Sequence, residues 1–131
     1  TMDSCDTCHG GTRLHKGYAV EYCVTCHNQS TFDPFSGDDP QTVDLQTMVH
    51  KLHMGSELPS VIAGGSYVVN GGHDYSNLIM PQSVANCTTC HNESNTDGTQ
   101  WRENPTSRAC ITCHDGGPAK SHSVLNGGIG F

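Results

Sequence analysis

Cys-x-x-Cys-His occurs four times in this 131-residue chain, as Cys5-Asp6-Thr7-Cys8-His9, Cys23-Val24-Thr25-Cys26-His27, Cys87-Thr88-Thr89-Cys90-His91 and Cys110-Ile111-Thr112-Cys113-His114. All eight cysteines fall in these motifs. The spacing is the attachment signature of c-type haem: two thiols add to the porphyrin vinyl groups and the next residue offers an imidazole to the iron. Cys5, Cys8, Cys23, Cys26, Cys87, Cys90, Cys110 and Cys113 therefore read as the residues that bind the cofactor. His9, His27, His91 and His114 read as iron ligands, and the expected content is four covalently bound c-type haems.

Zinc is the competing chemistry. Cys5/Cys8 with Cys23/Cys26, and Cys87/Cys90 with Cys110/Cys113, would make two four-thiolate sites. Such sites do not need a histidine after each pair. With 9 histidines in 131 residues, four such placements by chance come to roughly one in fifty thousand, which favours haem. A thioredoxin-like motif would explain one pair and needs a βαβ setting that the chain does not show. A disulfide framework would not place the histidines either.

Five histidines lie outside the motifs: His15, His50, His53, His73 and His122. The second axial ligand decides whether a haem iron is closed or open, and these five are the strongest donors left. His50 and His53 stand three apart, so on a helix they project from adjacent turns in neighbouring directions and can reach two different irons. His15 follows His9 by six residues and His122 follows His114 by eight, each across a glycine pair. Either can loop to its own haem or, more easily, to a neighbouring one. His73, in Gly71-Gly72-His73-Asp74, is a ligand or a surface residue near a propionate. Met2, Met48, Met54 and Met80 read as packing, the last two against porphyrin faces. Trp101 and the tyrosines read as haem-packing residues.

The elements that must carry these ligands are short. The motifs form two pairs, starting 18 and 23 residues apart, separated by a 59-residue insert from Asn28 to Asn86. Each motif should open or sit on a helical turn, broken after Gly10, Gly11, Asn28, Gly116 and Gly117. Residues 31–40 read as loop. From Asp44 to Met54, apolar Leu45, Met48, Val49 and Leu52 recur at helical spacing, with Thr42 or Asp44 to cap the start and Gly55 to end it. His53 borders that stripe, whereas His50 lies nearly opposite its centre. Val61 to Asn70 has strand-type residues interrupted by Gly64-Gly65 and suits a short strand or hairpin. Asn70 to Asn77 is turn-rich, and the tail from Asn126 to Phe131 is flexible unless held.

Composition fits this picture. Only 34% of residues are hydrophobic and 6% aromatic, and the mean hydropathy is −0.47. So polar a chain struggles to bury enough surface to offset its conformational entropy, so the cofactors are expected to be the core. The formal charge is −7. Ionised propionates would take it to about −11 with ferric and about −15 with ferrous haems, which argues against nucleic acid or an anionic membrane as partner. No stretch approaches the roughly 20 apolar residues of a membrane span. No signal-like segment precedes Cys5, so the chain reads as a processed or excised product. Haem attachment to this motif places it outside the cytoplasm, in the periplasm or the extracellular space.

The runs Cys23-Val24-Thr25-Cys26-His27-Asn28, Met48-Val49-His50-Lys51-Leu52-His53-Met54-Gly55, Asn86-Cys87-Thr88-Thr89-Cys90-His91 and Cys110-Ile111-Thr112-Cys113-His114-Asp115-Gly116, with His15-Lys16-Gly17, resemble the haem domains of MtrC/OmcA-type outer-membrane decahaem cytochromes. The resemblance implies closely packed bis-histidine haems that carry electrons to extracellular acceptors such as metal oxides or flavins. It makes His50 and His53 distal ligands, and His15 and His122 further ones. The expected fold is a multihaem cytochrome c: mostly irregular loops, a few short α-helices and at most one small β-hairpin, wrapped around four haems as one domain over residues 1–131. The family's haem domains usually hold five haems, beside β-barrel domains that have no counterpart in this chain. Five distal histidines for four motifs leave one over. The chain is then either a piece of a larger metal-reducing cytochrome, or a tetrahaem subunit that stacks end to end with copies of itself in a conductive filament, the reading that its Gly-rich ends favour. Partners would be other cytochromes or copies of the chain.

Six-coordinate irons shuttle electrons and have no open site. A multihaem reductase or a gas sensor would need an open iron, and nine histidines for four irons disfavour one. The expected role is an electron carrier without catalytic residues. If the haems are the core, the haem-free chain should show no cooperative thermal unfolding transition by circular dichroism.

Overall fold

The computed structural model describes residues 2–10, 20–35, 40–96 and 98–127. The elements are α1 (Met2–His9), α2 (Val20–Cys26), α3 (Leu45–Met54), α4 (Pro59–Ile62), a hairpin of β1 (Val68–Val69) and β2 (His73–Asp74), then α5 (Gln100–Glu103), α6 (Ser107–Cys113) and α7 (Gly117–Leu125). Single 3₁₀ turns cover Gly55–Glu57 and Cys87–Thr89. No helix among the described residues is long and apolar enough to cross a membrane. Short helices and one small hairpin are what the sequence leads one to expect.

The α3 helix is the best-defined element, and its ends follow from chemistry. The Asp44 carboxylate caps it by accepting from the Thr47 amide at 3.3 Å. Gly55, at φ +47°, ends it and returns its amide to the Lys51 carbonyl. A side chain there would adopt the left-handed region at a cost and would collide with the Leu78 carbonyl oxygen. The apolar stripe is only half-covered: Val49 remains 38% exposed, whereas Thr47 is fully buried. Leu52 and Met54 pack on a small core of Leu58, Tyr67 and Val69, joined by Val43, Val61 and Tyr75. Met54, Tyr67 and Tyr75 thus belong to the polypeptide core.

Two differences from the sequence reading have local causes. Val61 and Ile62 are helical, because Pro59 fits the first turn of α4. The hairpin lies further on, with Val68 opposite Asp74 and Val69 opposite His73. Its turn takes Asn70, Gly71 and Gly72 all to positive φ. Gly117 begins α7 instead of breaking the chain, since Gly116 caps that helix and a proline occupies its first turn. An isolated antiparallel bridge joins Phe32 and Thr42, and residues 36–39 of the expected loop lie outside the described residues.

Helix α6 packs on α3 and carries the fourth motif. Thr106 caps it, accepting from the Ala109 amide at 3.1 Å. Ile111 and Thr112, the two residues between the motif cysteines, are buried at 2% and 0% exposure. Buried ion pairs tie the two helices at both ends of α3: Arg108 to Asp44 at 3.3 Å and Lys51 to Asp115 at 3.0 Å. Asp115 also accepts from the Ser60 amide at 2.9 Å and the Ser60 hydroxyl at 2.6 Å. Burial alone would raise its pKa, but the Ser60 bonds and the Lys51 charge outweigh that and hold it below the ordinary carboxylate value. Removing one partner of such a pair strands the other charge. Asp115→Ala should therefore lower stability by about 3 kcal/mol, read as a fall in the melting temperature of the holoprotein.

Candidate haem-binding site

All four motifs lie on a helical turn, α-helical in the first, second and fourth and 3₁₀ in the third. The histidine amide of the second, third and fourth bonds to the carbonyl of its own first cysteine, at 2.8 Å for His27, 2.9 Å for His91 and 2.9 Å for His114. The first motif lies inside α1. One helical turn thus sets the two thiols at i and i+3 on one side and the histidine at i+4 beside them. This is the arrangement that addition across two vinyl groups demands.

The distal candidates on α3 meet the motif histidines of two different motifs. His53 faces His9 with ring centroids 6.1 Å apart, and His50 faces His91 at 6.1 Å. The interplanar angles are 84° and 10°. At this separation neither pair is in ring contact. A metal–nitrogen bond of about 2 Å on each side, plus about 1 Å from each nitrogen to its ring centre, places two axial imidazoles of one metal roughly 6 Å apart. Coordination fixes that separation and leaves the ring torsions free, and the two pairs share one and differ in the other.

The tautomers fit as well. The Nδ1 of His50 lies 2.6 Å from the Gln46 carbonyl, that of His53 2.7 Å from Val49, and that of His27 2.8 Å from Val43. A carbonyl only accepts, so each Nδ1 carries the proton and each Nε2 keeps its lone pair for a metal. Burial, and then the neighbouring His50, lower the His91 pKa and favour the neutral form that ligates.

The thiols show how the motifs neighbour one another. Burial pushes the Cys5, Cys90 and Cys113 thiols up from their ordinary value. Other thiols push the same way: Cys23 on Cys5, then Cys5, Cys8 and Cys87 on Cys90, and Cys87 on Cys113. The first motif's thiols thus neighbour those of the second and third motifs, and a third-motif thiol neighbours the fourth. Among the described residues no group of three or more His, Cys, Asp or Glu converges to hold a bare metal ion. The four-thiolate zinc pairing is not assembled.

The fourth motif lines an apolar cleft of about 600 Å³ with Cys110, His114, Pro118 and His122 on its walls. Ser107, Ile111 and Ser123 line it too. An apolar cleft beside a motif cysteine and its histidine suits the flat apolar face of a macrocycle. His122 is less prepared than the α3 histidines, since its Nδ1 meets only the Asn126 amide, at 3.5 Å. His73 is exposed on β2 and is brought to no motif by its strand pairing with Val69. His15 lies outside the described residues. Trp101 sits beside His91, ring centroids 6.4 Å apart. Lys51, Asp115, Ser60 and Arg108 position the site and were missed in the sequence. Lys51 between two histidines and Asp115 directly after His114 were the available signals.

Helical Cys-x-x-Cys-His turns, with imidazoles opposed across a metal-sized gap, define a multihaem c-type cytochrome. A model of the family described as outer membrane cytochrome MtrC/MtrF-like, domains II/IV, matches residues 1–130, and the chain belongs to that family. The crystal structure of the outer membrane decahaem cytochrome OmcA is similar, with 29% identity and a TM-score of 0.66 over 87% of this chain. The match covers 18% of the OmcA chain, so this chain spans less than a fifth of that protein's length. No curated protein sequence matches. Membership makes the chain a domain of the outer-membrane multihaem cytochrome type, whose cofactor is c-type haem.

His50→Ala and His53→Ala should each open a single iron. Each variant should convert one haem to a high-spin form that binds carbon monoxide when reduced, and the double variant two, read by absorption spectroscopy.

Proposed function

We propose that the chain holds four bis-histidine c-type haems as a conduit for electrons at the cell surface, in extracellular respiration. The observation that carries this reading is the pair of 6.1 Å imidazole separations, His9 to His53 and His91 to His50. When bound, the haems supply one-electron ferric/ferrous chemistry. The protein's own residues do the rest. Eight motif thiols would fix the macrocycles, and two histidines would ligate each iron. His122 lines the cleft of the fourth motif and is the candidate there, with His15 a further distal ligand and His73 the histidine left over. The second and fourth motifs are the ends of the path, and the first and third are its middle, joined through α3.

Closed irons make this a carrier, with no substrate held at the metal. Electrons would pass to or from other cytochromes and on to acceptors such as metal oxides or flavins. The match to one domain type of a larger cytochrome supports a role as one haem domain of a longer conduit. Stacking of copies into a filament is the second reading, favoured by the histidine without an iron, which could serve an iron in the next copy. Electron microscopy separates the two, as filaments or discrete particles. Pyridine haemochrome analysis should return four haems per chain. The reduced protein should show no rapid carbon monoxide binding, and rapid binding by a large fraction of the haem would defeat the closed-iron reading.

A further inference from the structure

The two histidine pairs on α3 share a separation and differ in orientation. The rings of His9 and His53 are crossed at 84°, whereas those of His50 and His91 lie within 10° of parallel. The α3 side of each pair is held alike. The Nδ1 of His50 and the Nδ1 of His53 each meet the carbonyl four residues back, at 2.6 and 2.7 Å. The motif side is not alike: His9 closes the α-helix α1, whereas His91 follows the 3₁₀ turn Cys87–Thr89. The difference in angle thus traces to the backbone that carries each motif histidine.

Ring orientation matters to an iron with two imidazole ligands. A low-spin ferric iron has a single hole in its d shell. Each imidazole π system raises the metal orbital it overlaps. Parallel rings raise the same orbital, and the hole settles there, which stabilises the ferric state. Crossed rings raise two different orbitals alike, so the hole gains less and the ferric state is less favoured. Axial ligation is among the levers by which a protein sets haem potential, and here ligands of one type would differ only in their angle. We propose that the crossed pair His9/His53 and the near-parallel pair His91/His50 make two neighbouring haems unequal, the His9/His53 haem having the higher reduction potential. The proposal rests on the reading of these four histidines as ligands of two irons. A single electron shared by the two haems reduces the iron of the crossed pair and leaves the iron of the parallel pair ferric, so the middle of the path has a direction.

The test is electron paramagnetic resonance of the fully oxidised holoprotein, with His50→Ala and His53→Ala to assign the signals. The unaltered protein should show both a strongly anisotropic low-spin signal at very low field, the mark of near-degenerate orbitals, and an ordinary rhombic low-spin signal. His53→Ala should lose the anisotropic signal and His50→Ala a rhombic one, each gaining a high-spin signal in its place. In a redox titration of the unaltered protein, the anisotropic signal should vanish at the higher potential. Absence of either kind of signal from the unaltered protein would overturn the proposal. So would loss of the same kind in both variants, an exchange of the two, or the reverse order of potentials. If neither variant gains a high-spin signal, the ligand reading itself fails, a result distinct from two opened irons whose lost signals are alike.

Discussion

The arrangement depends on how firmly α3 is held against α6. Two ion pairs clasp the helices, Asp44 with Arg108 at the start of α3 and Lys51 with Asp115 near its end. Both pairs are largely withdrawn from water, where an unpaired charge is heavily penalised. Each carboxylate also has a second task. Asp44 caps α3, and Asp115 gathers the amide and hydroxyl of Ser60. The register of α3 is thereby set relative to the fourth motif, and with it the direction in which His50 and His53 point. A slip of α3 by one residue would rotate both imidazoles by about 100° and away from His91 and His9.

Against that frame the ligand geometry needs little adjustment. Each α3 imidazole is braced by the carbonyl one turn back in its own helix, so the helix itself sets the tautomer and aims Nε2 outward. The exposed flank of α3, Val49 included, has little polypeptide over it. The apolar stripe therefore does not do what such a stripe does in an ordinary small protein. Only part of it packs on Leu58 and Tyr67. The rest borders the side on which the histidines stand.

Much of this was legible in the residues. The motif spacing announced the cofactor, and the helical period of Leu45, Met48, Val49 and Leu52 located α3 with its cap and stop. The i, i+3 placement of His50 and His53 implied two irons. His50 looked misplaced opposite the stripe until the structure showed a motif histidine facing it. The spatial order of the motifs was not legible, because it depends on how α1 and the third motif converge across a long insert. The clamp at Asp115 was hidden for a related reason: its partners Lys51 and Ser60 are 64 and 55 residues away in sequence. The hairpin was misplaced because Val61 and Ile62 suit a strand by type, whereas Pro59 commits them to a helical turn.

One consequence of mounting His50 and His53 on the same short helix concerns what thermal motion can do to the path. Their separation along the axis is three residues of rise, about 4.5 Å, and is held by backbone hydrogen bonds. Breathing of loops or hairpin cannot stretch it without breaking the helix. Tunnelling falls off steeply with distance, so the slowest step of a chain of centres dominates its throughput. With His50 and His53 as ligands of neighbouring irons, as proposed, the central step is insulated from tertiary fluctuation. The outer steps, whose ligands sit on separate elements, are where temperature, neighbouring domains or partners can modulate the current.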